Sequence, residues 1–77
     1  MITSQVTAQL DIPRHRLYYL EQKGLIKPNK VQVGGREFRI YPPEVVRRAA
    51  VLWKYLKAGV GYSAAREKAG QELGEEI

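Results

Sequence analysis

Pro13 and Gly24 stand at the two ends of Arg-His-Arg-Leu-Tyr-Tyr-Leu-Glu-Gln-Lys, a stretch that can form one short helix and little else. Proline opens a helix without cost, because the N–H it lacks has no partner in a first turn. Glycine closes one by taking the left-handed conformation that follows the last turn. Leu17 and Leu20 give this helix one apolar side, while Arg14, His15, Arg16, Tyr18 and Tyr19 crowd the rest of its surface. Its leucines need a neighbour to cover them. The segment just upstream supplies one: Thr3 or Ser4 can cap a first helix running to about Leu10, with Val6 and Leu10 four apart on its buried face. Asp11-Ile12 is then a tight turn, and residues 3–24 read as a helix-turn-helix unit.

Beyond Gly24 the period changes. Over residues 27–41, Val31 and Val33, then Phe38 and Ile40, alternate with polar residues around Gly34-Gly35. Paired glycines between alternating runs mark a two-residue hairpin, since glycine tolerates the positive φ such turns require. If the four apolar residues point inward, Gln32, Arg39 and Tyr41 point outward. A lone hairpin is marginal in water, so this one is expected to lean on the helices.

Pro42-Pro43 ends the hairpin and opens the longest helix, predicted over 43–58. Val45, Val46, Ala49, Leu52, Trp53 and Leu56 form a wide apolar stripe on it, which places Trp53 in the core. Arg47, Arg48, Lys54 and Lys57 take the other side. A last helix over 61–73 carries Tyr62, Ala65, Ala69 and Leu73 on one face. Gly70 and Gly74 weaken it, each by about 1 kcal/mol against alanine in a helix interior. The expected fold class is mainly α with a β-hairpin, in a single domain over 1–77.

Charge narrows the function. Residues 1–58 hold eleven Lys/Arg against four acids, and residues 59–77 hold two against four. A basic body with an acidic tail favours a polyanionic partner on the body side. Three basic side chains opening a helix also oppose its macrodipole, which prefers acids there. Cations for phosphates and rings for sugars or bases are what a helix needs to lie in a DNA groove. Catalysis finds no support, because the carboxylates are scattered and no nucleophile stands beside a base. His15 has no second histidine, cysteine or acid at ligand spacing, so neither a metal nor another cofactor is expected. The longest apolar run, Ala49 to Trp53, is far below the roughly 20 residues that span a bilayer. With no basic start followed by an apolar block, the expectation is a cytoplasmic protein without a membrane partner.

Three stretches resemble the DNA-binding domain of MerR-family regulators. Leu17-Tyr-Tyr-Leu-Glu-Gln-Lys-Gly-Leu-Ile-Lys-Pro28 is similar to the family's recognition helix and exit. Phe38-Arg-Ile-Tyr-Pro-Pro-Glu44 is similar to its wing and the start of the next helix. Leu56-Lys-Ala-Gly-Val-Gly-Tyr62 is similar to its junction between the long and the following helix. The resemblance implies a winged helix-turn-helix that binds double-stranded DNA as a small transcriptional regulator or accessory factor. It places Tyr19 at a family tyrosine that touches phosphate, and Arg39 and Tyr41 at wing residues near phosphate or the minor groove. Arg14 and Arg16 fall where early recognition-helix residues reach base edges. With His15, Tyr18 and Arg36 these complete the candidate nucleic-acid contacts. The pattern departs at Tyr18, where the family has arginine, and the family's long dimerising helix is not seen after Gly74, so a monomer is expected. Both departures fit a second reading equally: a MerR-like adaptor that binds protein, such as a modulator or assembly factor for a DnaK- or DnaJ-type chaperone.

Overall fold

Four helices and one hairpin follow each other in the computed structural model, which describes residues 1–77: α1 (Thr3–Leu10), α2 (Arg14–Gln22), β1 (Asn29–Val33), β2 (Arg36–Ile40), α3 (Pro43–Lys57) and α4 (Tyr62–Leu73). This is a mainly helical winged helix-turn-helix. No helix is long and apolar enough to cross a membrane.

Neither Thr3 nor Ser4 caps α1. The N-cap is Ile2, whose backbone N–H donates to Gln5 Oε1 at 2.9 Å. The reason lies in the pairing of the residues before the helix. Ile2 bridges Ile40, and Met1 and Tyr41 exchange backbone hydrogen bonds, so residues 1–2 run as a short third strand beside β2. Thr3 then sits over Tyr41, with its Oγ1 3.5 Å from the phenol oxygen. Asp11 makes the turn between α1 and α2 in the left-handed region, at φ 52°. Pro13 caps α2, its carbonyl accepting from the N–H groups of Arg16 and Leu17.

The core gathers where α1, α2 and α3 meet. Val6, Leu17, Leu20, Ala49 and Leu52 are fully buried, with Ile12, Leu25 and Ile26 closing the gaps around them. Ala65 and Ala69 let α4 lie close against α3. Trp53 is only half-buried and packs at the core's edge, while its indole N–H is shielded from water without a partner. Gly70 and Gly74 have positions to fill. Gly74 ends α4 at φ 67°, and a side chain at Gly70 would come within 2.8 Å of the Glu75 carbonyl as the chain doubles back.

The hairpin pairs in the expected register, Val31 with Phe38 and Val33 with Arg36, across a Gly34-Gly35 turn whose φ values are both positive. Its apolar face is nevertheless open: Val31, Val33 and Phe38 are 41%, 58% and 39% exposed. Only the base of the ribbon touches the body, and no helix reaches far enough to cover the rest. The opposite face, bearing Lys30 and Arg39, is the one turned toward α2.

A candidate nucleic-acid interface

Successive residues of an α-helix are about 100° apart, so the burial of Leu17 and Leu20 orients the whole of α2. His15 and Gln22 lie opposite the leucines, along the outermost line of the helix. Arg14 and Tyr18 flank that line toward the wing. Arg16, Tyr19 and Lys23 flank it toward α4. Arg14, His15 and Arg16 are exposed, and Tyr18 and Tyr19 are half-buried.

On the wing side, Arg14, Tyr18, Phe38 and Arg39 line one cleft of about 240 Å³ together with the start of α1. The Arg39 guanidinium stacks over the Tyr18 ring at 4.7 Å. Its Nε donates to Glu21 Oε1 at 2.7 Å, and Lys30 Nζ lies 3.5 Å from the other Glu21 oxygen. The hydrogen bond to Glu21 raises the pKa of Arg39 above its ordinary value, against the opposing effect of burial. On the α4 side, the Tyr19 ring packs against Tyr62 at 4.7 Å, and Arg16 Nη1 donates to the Tyr62 hydroxyl at 2.8 Å. Lys23 Nζ lies over the Tyr19 ring, 5.3 Å from its centroid.

One expected contact is removed. Tyr41 does not point outward: it is 1% exposed, beneath α1 and the strand formed by residues 1–2. Burial raises its pKa and puts its ring out of reach of any phosphate. Tyr41 follows Arg39 by two residues, so it lies on the face turned toward the body, and its backbone pairing with Met1 carries the strand geometry that far. Arg36 remains exposed, 5.7 Å over Phe38 on the face of the wing away from Arg39. The structure brings Arg14, Tyr18 and Arg39 together, sets Arg16 and Tyr19 around Tyr62, and leaves His15 between the two groups.

Gln22 and Lys23 join the exposed surface of α2 although the sequence reading passed over them. The signal was present, since Gln22 follows His15 by seven residues, two turns along the same line.

Two of the four acids of the C-terminal region, Glu72 and Glu75, serve α3. Glu75 pairs with Arg48 at 2.6 Å, and Glu72 accepts from both Lys54 and the Tyr55 hydroxyl. Arg48 and Lys54 are thus neutralised within the fold, while Arg47 and Lys57 make no ion pair. No ion pair reaches Arg14, His15 or Arg16.

No curated protein and no solved structure matches the chain. The model of the MerR HTH family regulatory proteins does, over residues 1–71, and the chain belongs to that family of DNA-binding regulators.

Proposed function

We propose that the protein acts as a small transcriptional regulator or accessory factor that inserts α2 into the major groove of double-stranded DNA and lays the wing along the adjacent backbone. One observation carries this reading: Arg14, His15 and Arg16 stand together on one exposed face without an acidic partner, while Arg48 and Lys54 on α3 and Lys30 and Arg39 at the base of the wing are paired. Unpaired cations at a helix N-terminus are electrostatically unfavourable in the free protein, and a polyanion relieves that. In this arrangement Arg14, His15, Arg16 and Gln22 face base edges. Tyr18, Tyr19, Arg36 and Arg39 serve the sugar-phosphate backbone.

The test is a fluorescence-anisotropy titration against random duplex over a series of salt concentrations. Steeply salt-dependent binding is expected, because each neutralised phosphate releases condensed counterions. A flat salt response, or silence at micromolar protein, rejects the reading. The exposed apolar face of the wing favours a second reading, an adaptor for a DnaK- or DnaJ-type chaperone. Silence on duplex combined with binding to such a purified chaperone would select it.

A further inference from the structure

The wing has little apolar packing to hold its angle. Its apolar face is exposed, and its attachment to the body is confined to the Ile2–Ile40 bridge and the neighbouring backbone pairs at its base. What ties the ribbon to α2 is polar. Lys30 and Arg39 are cross-strand partners, and both reach the single carboxylate of Glu21. Like charges directly opposite each other on a sheet repel, and the carboxylate removes that repulsion while drawing both strands toward the helix. Glu21 is the only acid on α2 and lies in its last turn, where the macrodipole disfavours a negative charge. Its side chain is 17% exposed, so the pair with Arg39 is sheltered from solvent.

The bond to Arg39 is made through Nε alone, and the two outer guanidinium nitrogens make no hydrogen bond within the protein. Stacking on Tyr18 fixes the plane of the group. A guanidinium held by Nε and by one face presents its remaining N–H fork in a set direction, the geometry that suits two phosphate oxygens.

We infer that Glu21 is a positioning residue for DNA binding: it locks the wing to α2 and aims the free fork of Arg39 at a backbone phosphate, an inference that rests on the DNA reading above. Glu21 then favours binding although its own charge repels the duplex.

A double-mutant cycle on duplex affinity tests this. Arg39→Ala in the otherwise unaltered protein is expected to weaken binding about tenfold, the scale of one charge-assisted hydrogen bond. In a Glu21→Ala background the same change is expected to cost less than about twofold, because Arg39 is no longer aimed. Glu21→Gln keeps an acceptor for Nε without the charge, and is expected to restore much of the Arg39 effect. The NMR resonance of the Arg39 Nε proton supplies a readout independent of DNA, with slow exchange expected in the unaltered protein and in Glu21→Gln but not in Glu21→Ala. An equal Arg39 effect in all three backgrounds, with salt-dependent binding intact, overturns the inference alone. So does a fast-exchanging Nε proton in the unaltered protein. Absence of duplex binding by the unaltered protein, with the Nε proton protected, overturns the DNA reading and with it the role of Glu21 in binding.

Discussion

Tyr62 of α4 packs its ring against Tyr19 of α2 at 4.7 Å, with the planes tilted by 56°. The same Tyr62 hydroxyl receives the Arg16 guanidinium. Through this residue the last helix buttresses the first part of the candidate recognition surface, from residues 46 positions apart in the chain. Tyr62→Ala removes both contacts and a half-buried ring, and is expected to cost about 2 kcal/mol of stability. Tyr62→Phe keeps the ring and is expected to cost under about 1 kcal/mol. Urea denaturation of the two variants separates the ring from the hydroxyl; equal losses would contradict the assignment.

Arg14 and Tyr41 make opposite predictions. Arg14 is exposed and unpaired, so Arg14→Ala is expected to lower the slope of log affinity against log salt by about one without changing stability much. Tyr41 is sealed beneath α1, so Tyr41→Phe is expected to leave both affinity and slope unchanged, while Tyr41→Ala destabilises the fold by about 3 kcal/mol or more. A changed salt slope in Tyr41→Phe would contradict its burial.

Gly70→Ala is expected to destabilise, contrary to what helix propensity alone gives. Propensity favours alanine by about 1 kcal/mol, but the added methyl would meet the Glu75 carbonyl at 2.8 Å. Crowding against backbone costs about 1–3 kcal/mol. It would also displace the Glu75 that pairs with Arg48. A net loss of about 1 kcal/mol in urea denaturation is expected, and a gain would show that the return of the chain over α4 yields freely.

Hydrogen bonds from Lys54 and then Tyr55 hold the Glu72 carboxyl below its ordinary pKa. Its contribution to stability is therefore present above the unfolded carboxylate value and is lost as pH falls through the depressed folded one. The hydrogen bond to Glu72 raises Lys54 in turn, so that contribution is full below the ordinary lysine value and is lost as pH rises through the folded one. An NMR titration of the Glu72 carboxyl carbon is expected to place its midpoint below that of a free glutamate. Lys54→Met should move the midpoint back upward, and an unmoved midpoint would remove Lys54 as the main cause.

The helices were legible because their signals are local. Pro13, Gly24 and Pro43 each act within a turn of where they sit, and the helix bounds fall within a residue or two of those expected. The hairpin register was legible for the same reason, being set by Gly34-Gly35. What escaped were the relations between distant segments. Alternation told which face of the wing is apolar, but not that nothing covers it. Alternation also puts Tyr41 on the face of Arg39, but does not tell that this face is turned toward the body or that residues 1–2 return to pair beside it. Glu21 and Arg39 are 18 positions apart, and neither period nor composition pairs them. The acidic tail suggested a charge gradient along the chain, whereas Glu72 and Glu75 fold back onto the cations of α3.

The uncovered ribbon has a consequence for the protein in bulk solution. β1 pairs only with β2, so its outer margin offers unsatisfied backbone groups beside two exposed valines. Such a margin is a template for self-adhesion, and Lys30 is the one charged side chain along it. Colloidal behaviour then hangs on that ammonium group: replacing it with a neutral residue should make light scattering climb with protein concentration, from the ribbon first.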